Sequence, residues 1–267
     1  MPLHVPSNLD SPVLSLFSLQ DKIAVVTGGS RGIGLQVVTA LAEAGADVAF
    51  IYHRSSDASK TADAIASRTG RRIQAYKSDV TDRKVIAAAI SHITQTFGRG
   101  RLDIMVANAG VCQNVPSLEY DEETWTRMNS VNYDGVMWTA LAAGQIFKAQ
   151  GRGNLIITAS VSAGLVNVPQ TQAAYNASKA GVLMLAKSLA VEWADFARVN
   201  CVSPGYVHTE MITTQPAHLL EKWLGMIPGG RTCQPAELKG IYTFLASDAS
   251  SYMTGSNLII DGGFTLP

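Results

Sequence analysis

The 267-residue chain has 21 basic and 21 acidic residues, which cancel, and is 47% hydrophobic. The charge balance leaves no electrostatic footprint for nucleic acid or an anionic membrane surface. No apolar run reaches the roughly 18 residues that a membrane span needs, and Cys112, Cys201 and Cys233, odd in number and without CxxC spacing, argue against a disulfide framework or a zinc site.

The first 20 residues carry His4 but no Lys or Arg, with a short apolar patch at 13–17. Lacking a basic n-region they make a poor signal peptide, and they are expected to form a partly ordered arm ahead of the fold. A short β-branched run at 23–27 predicts a strand ending on glycines. A helix is expected over 33–44, stopped by Gly45. A strand follows at 48–52, then a helix at 55–68 stopped by Gly70, a strand at 73–77 and a helix at 85–97. A fourth strand at 102–107 precedes one long helix over 121–150. Then come a strand at 154–159, a helix at 175–196, a strand at 199–202, a helix at 235–246 and a last strand at 258–260. Residues 206–230 read as a substrate loop.

Alternating strands and helices imply βαβ units and a parallel sheet covered on both faces, and the strands read as continuous apolar runs. The expected fold is a single α/β domain over 21–267, a Rossmann-type doubly wound sheet. Ligands of such sheets bind at the carboxyl ends of the strands.

Two motifs carry the chemistry. Thr27-Gly28-Gly29-Ser30-Arg31-Gly32-Ile33-Gly34 lies between a strand and a helix, where Gly28, Arg31, Gly32, Ile33 and Gly34 can hold a dinucleotide pyrophosphate. Tyr175 and Lys179 stand four apart on a predicted helix, so phenol and ammonium share a face. A lysine there should lower the phenol pKa toward the range of a general acid or base. Together they suggest hydride transfer with a nicotinamide, Tyr175 moving the matching proton.

The second strand ends in Tyr52-His53-Arg54-Ser55-Ser56, with no acid. NAD sites tend to place a carboxylate there to hold the ribose hydroxyls, whereas Arg54 and Arg31 can reach a 2′-phosphate and Ser55 can donate to it. NADP(H) is therefore the expected cofactor. Asp79-Val80 can hold the adenine amino group, with a helix N-cap as the other reading of Asp79. Asn108-Ala109-Gly110 would let the backbone approach a ribose closely. No histidine has metal-ligand spacing, so no metal is expected. His208 and His218 fall in the loop region, more in keeping with a surface position than with substrate contact.

Thr27-Gly28, Gly32, Gly34, Asn108-Ala109-Gly110, Asn132, Ser160, Tyr175, Lys179 and Pro204-Gly205 through Thr209 stand in the order and spacing of the short-chain dehydrogenase/reductases. The chain resembles that family over about residues 20–263. Stretches such as Ser203-Pro204-Gly205-Tyr206 and Ser247-Asp248-Ala249-Ser250 resemble its fungal mannitol dehydrogenase and sorbose reductase branch. The resemblance implies that Tyr175 donates the proton in reduction and accepts it in oxidation. Lys179 would lower the Tyr175 pKa and bind the nicotinamide ribose. Ser160 would bond the substrate oxygen, and Asn132 would support a water chain to Lys179. Pro204, Gly205, Val207 and Thr209 would join the cofactor site, Thr209 on the carboxamide. Ser160 lies farther from Tyr175 than is commonest in the family, which leaves Ser162 as the alternative.

The leading reading is thus an NADPH-dependent reductase of a small ketone, with ketose/polyol interconversion first. A secondary-metabolite, xenobiotic or 3-oxoacyl ketone is the alternative, and a dinucleotide-sensing binding module the non-enzyme one. The intact set Asn132, Ser160, Tyr175 and Lys179 favours the enzyme. The family further implies a homo-oligomer, a tetramer, pairing the helices that carry Trp125, Met128, Met137, Trp138, Leu183, Met184 and Leu185. A cytoplasmic location fits the cysteine content.

Overall fold

Strands β1 (Ile23–Thr27), β4 (Ile104–Ala107) and β5 (Asn154–Thr158) are wholly buried, which is why they read as unbroken apolar runs. They form the middle of a seven-stranded parallel sheet in a computed structural model that describes residues 5, 6 and 10–266. Part of the expected N-terminal arm, including His4, lies outside the described residues. The remaining strands are β2 (Asp47–Tyr52), β3 (Ile73–Lys77), β6 (Arg198–Pro204) and β7 (Asn257–Ile260). Their order across the sheet is β3-β2-β1-β4-β5-β6-β7. The direction of winding reverses between β1 and β4, the switch point at which such sheets bind ligands.

Helices cover both faces. On one side α1 (Gly32–Glu43), α2 (Ala58–Thr69) and α9 (Lys239–Ala246) pack Val37, Leu41, Ile65, Tyr242 and Leu245 onto the sheet. On the other, α3 (Arg83–Thr96), α5 (Gly135–Gln150) and α6 (Ala173–Glu192) contribute Ile86, Ile90, Phe147, Val182 and Leu189. Each such side chain, fully buried, is worth about 1.5–3 kcal/mol relative to exposure. In the arm, the amide of fully buried Leu19 donates to the Ala44 carbonyl at 2.8 Å and Phe17 lies 6.1 Å from the Phe244 ring, so the chain is anchored from there on.

Two expectations need correction. The run over 121–150 is not one regular helix: α4 (Glu122–Asn129) and α5 are joined by a π-helical turn, Ser130–Asp134. Such turns widen a helix by one residue and recur at functional sites; this one carries Asn132. Nor is 206–230 a loop. It contains α7 (Glu210–Thr213) and α8 (Ala217–Met226). Pro216 stands at the N-cap of α8, and Leu219, Leu220 and Trp223 pack into a small cluster with Tyr206, Ile227 and Phe264.

Candidate active site

The glycine turn is shaped by close backbone approach. Gly28 has φ +68° and donates its N–H to the Ile51 carbonyl at 2.8 Å. A Cβ on Gly34 would stand 2.1 Å from the Gly28 oxygen and 2.6 Å from Asn108 Nδ2, so only glycine lets α1 start against the turn. No side chain caps the N-terminus of α1, which leaves its first N–H donors free for an anion. A Cβ on Gly32, at φ +55°, would come within 3.4 Å of Thr209 Cγ2. Turn and Thr209 thus face each other at close quarters, where a side chain on Gly32 would crowd the start of α1.

Asn108 ties this turn to the sheet. Its Nδ2 donates to the Thr27 carbonyl at 3.0 Å, and its Oδ1 accepts from Thr158 Oγ1 at 3.1 Å. The amides of Asn108 and Ala109 both donate to Thr27 Oγ1, at 3.0 and 3.1 Å. Asn108 therefore knots the ends of β1, β4 and β5 together. Farther along, Gly110 lies with Asn132 Oδ1 and Lys179 Nζ on its open side.

Tyr175, on the first turn of α6, is half-buried, and Lys179, one turn on, is 3% exposed. Lys179 Nζ donates to the Thr158 carbonyl at 2.8 Å and lies 5.8 Å from the Tyr175 ring centre. Burial pulls the ammonium down to about 8. Burial pushes the phenol above its usual range, aided by the Cys112 thiol and opposed by a hydrogen bond with Ser160. This differs from the sequence expectation of a lowered phenol pKa: burial is the largest influence on the phenol, and the ammonium donates to the Thr158 carbonyl. Of the two serines, Ser160 is the one that acts on the Tyr175 phenol, while Ser162 donates to Asn167 Oδ1 at 2.6 Å. Asn132, fully buried, accepts from the Val111 amide at 2.8 Å and donates to the Val111 carbonyl at 2.9 Å and Ser178 Oγ at 3.2 Å. Half-buried Cys112 lies beside this group, its thiol pushed up to about 11 by burial.

At the far end of the cleft, Tyr52, His53, Arg54, Ser55, Ser56 and Lys77 line a cavity of about 480 Å³. Lys77 ends β3 opposite Tyr52 and was not singled out from the sequence; the strand pairing is what places it there. Among the described residues neither Arg54 nor Lys77 pairs with a carboxylate. His53 Nε2 lies 3.6 Å from Asp79 Oδ2. Asp79 accepts from the Thr81 amide and hydroxyl, and Asp82, not Asp79, caps α3. Val80 is buried in the core cluster and also bounds Gly135. Arg31 is not part of this cavity; it reaches across the cleft to Glu210 at the start of α7. Ile33 packs against the core beneath the turn.

At the carboxyl end of β6, a Cβ on Gly205, just after Pro204, would come 2.9 Å from Asp261 Cα, so the chain beyond β7 runs tightly beneath this side. Val207 is buried and pairs with Cys233, and Thr209 Oγ1 donates to the Val207 carbonyl at 3.3 Å. His208 and His218 are exposed. No group of three metal-ligating side chains occurs among the described residues, and no helix among them is long and apolar enough to cross a membrane.

Comparison with known proteins supports one family. A family model described as enoyl-(acyl carrier protein) reductase matches residues 28–265. A probable NADP-dependent mannitol dehydrogenase of Yarrowia lipolytica is 45% identical over all of this chain and 95% of its own length. A sorbose reductase of Candida albicans is 46% identical, over 100% of this chain and 95% of its own. The crystal structure of an NADPH-dependent 3-quinuclidinone reductase from Rhodotorula rubra superposes with a TM-score of 0.94 at 39% identity, covering 100% of this chain and 99% of that one. The chain belongs to the short-chain dehydrogenase/reductase family.

Proposed function

We propose that the protein is an NADPH-dependent reductase that interconverts a ketose and its polyol. The observation that carries this reading is the meeting of Ser160, Tyr175 and Lys179 at the carboxyl ends of the central strands, with the glycine turn and a basic cavity on the same cleft. Gly28, Gly32 and Gly34 would hold the diphosphate at the α1 N-terminus, and Thr209 the carboxamide. Arg54, Ser55 and Lys77 would hold the 2′-phosphate, with His53 and Asp79 beside the adenosine. Names of relatives and neighbours support NADP as the dinucleotide.

The nicotinamide, when bound, supplies the hydride. Ser160 would bond the carbonyl oxygen and fix the ketone over the cleft. Tyr175 would give its hydroxyl proton to that oxygen as negative charge develops there, breaking its own O–H bond. Lys179, an ammonium below pH about 8, would stabilise the phenolate that remains. Asn132 would hold the 108–111 segment against α6 through its two bonds to Val111.

Sugar specificity is supported by the named activities of the relatives, which include an L-xylulose reductase of Hypocrea jecorina 45% identical over 96% of this chain. Steady-state assays with fructose, sorbose and an aryl ketone of similar size test it. The ketoses should give the higher kcat/KM; an aryl ketone ahead by more than about tenfold, roughly 1.4 kcal/mol, overturns the sugar assignment.

The working unit proposed is a cytoplasmic homotetramer of one catalytic domain per chain, over 21–267. Support comes from Trp125 at 47% and Met184 at 62% exposure, large apolar side chains left open on α4 and α6. Met128, in contrast, is consumed by the core. A light-scattering mass of 28.4 kDa would rule the assembly out.

A further inference from the structure

Ser160 is the near end of a buried chain of hydrogen bonds that leads away from the reacting centre. Its hydroxyl donates to Ser162 Oγ at 3.0 Å, and Ser162 Oγ donates to Asn167 Oδ1 at 2.6 Å. Gln172 Nε2 donates to the same Asn167 oxygen at 2.9 Å. Asn167 Nδ2 donates to Tyr206 Oη at 3.4 Å, and Gln170 Nε2 to that hydroxyl at 2.8 Å. Trp223 Nε1, from α8, donates to Gln170 Oε1 at 2.8 Å. The Tyr206 and Trp223 rings stack 4.7 Å apart. Every one of these residues is less than a tenth exposed.

The chain has a direction. An amide oxygen only accepts, so Asn167 takes the Ser162 proton and Ser162 must offer a lone pair to Ser160. The Ser162 amide also donates to Ser160 Oγ at 3.2 Å. The Ser162 amide thus holds the Ser160 oxygen from behind, and the Ser160 proton rests on Ser162 Oγ until it turns to the carbonyl oxygen of a bound ketone. An apolar filling would pack this space without desolvating two serines, three amides and a phenol. Buried polar networks of this kind, when fully satisfied, fix one arrangement of the groups they join.

We propose that Asn167 and Gln170 are positioning residues for the reduction. Asn167, by taking the Ser162 proton, keeps Ser162 an acceptor and so fixes the place of the Ser160 oxygen, from which its proton turns to the ketone. Gln170 ties the same chain to α8, so that seating α8 beside the cleft and aiming Ser160 are one event. This rests on the reductase reading above, with Ser160 as the partner of the carbonyl.

The test is a mutant cycle on the full-length protein: Ser162→Ala, Asn167→Ala and the double variant, assayed with NADPH and the best ketose. Deleting a direct oxyanion donor costs about 10²–10³ in kcat, so an indirect aim should cost about tenfold in each single variant. NADPH affinity, read by fluorescence titration, should stay within twofold. Because both changes cut one path, the double variant should lose no more than the worse single one. Gln170→Leu should raise the ketone KM several-fold with a smaller change in kcat. Packing alone predicts instead that the losses multiply and track the fall in Tm. Multiplied losses, or kcat within twofold of wild type in Ser162→Ala and Asn167→Ala, overturn the proposal. Should Asn167→Ala fail to fold, Ser162→Ala decides by the same twofold criterion. A wild-type protein inactive on every ketone overturns the reductase reading and the relay with it; an active wild type with unaffected variants overturns the relay alone.

Discussion

The two ends of the cleft are built from different materials. At the glycine turn the critical distances run from backbone to backbone or to Asn108: Gly34 against the Gly28 carbonyl, Asn108 against the Thr27 carbonyl. At the α8 end they run between side chains, Trp223 to Gln170, Gln170 to Tyr206, and Tyr206 stacked on Trp223. Backbone contacts leave little to vary except the glycines themselves. Side-chain contacts can be exchanged one residue at a time while the sheet stays as it is. Relatives named for mannitol, sorbose and L-xylulose, and a neighbour named for quinuclidinone, fit that division: a common fold and different named substrates.

The sharpest way to separate the two ends is to remove the chemistry between them. Tyr175→Phe should lower turnover by about 10²–10⁴ while leaving NADPH binding nearly intact, since only a positioned acid is lost. Titration of NADPH fluorescence beside steady-state kinetics reads both; near-normal turnover would sink the assignment of Tyr175.

Gly34→Ala attacks the backbone-built end. Its Cβ would meet the Gly28 oxygen at 2.1 Å, and nothing flexible can yield there. Overpacking of that kind costs about 3 kcal/mol, so Tm should fall and NADPH binding with it. A variant that binds NADPH like wild type would show that the turn is softer than its contacts indicate.

Arg54→Ala should be selective within that same end. Loss of a charge-assisted hydrogen bond costs roughly 1.5–3 kcal/mol, so the KM for NADPH should rise and that for NADH stay level. Equal effects on both dinucleotides would mean that Arg54 does not read the phosphate.

Trp223→Phe probes the side-chain-built end and should cost about 1–3 kcal/mol, because a buried acceptor loses its donor. It leaves the Gln170 oxygen without its donor, so the ketone KM should rise with the NADPH KM unchanged. A change confined to NADPH would erase the proposed division.

A pH series adds the weakest perturbation. Burial brings Lys179 down to about 8, so its ammonium is present below that pH and lost above it. Since kcat/KM for NADPH reports the free enzyme, it should hold level at neutral pH and fall as pH rises through about 8. A profile flat to pH 10 would show that the charge on Lys179 is not required.

All seven strands were legible, most as short, largely apolar runs and β3, with Gln74 and Lys77 exposed, as a half-polar one, each closed by a glycine, a polar turn or a new helix. The same holds for the glycine turn and for Tyr175 with Lys179, whose spacing is local. What escaped depends on distant packing. Leu219, Leu220 and Trp223 have helical spacing behind Pro216, yet their mixture with His218, Glu221 and Lys222 reads equally as a polar loop. Lys77 gains its place from the register of β3 against β2. The turn over to Glu210 that takes Arg31 away from the phosphate end belongs to a partner 179 positions along the chain. The π turn at Asn132 has no local marker at all.

The knot at Asn108 bears on how this protein is made. Its amide is satisfied by Thr27 on one side and Thr158 on the other, and Thr158 Oγ1 in turn meets the Tyr242 hydroxyl at 2.7 Å. During synthesis the first four strands emerge well before Thr158, and Tyr242 comes last. Although domains tend to fold from the N-terminus as they leave the ribosome, the half that carries the glycine turn is therefore not a self-standing nucleotide-binding module. Its lining is completed only when the C-terminal third of the chain arrives.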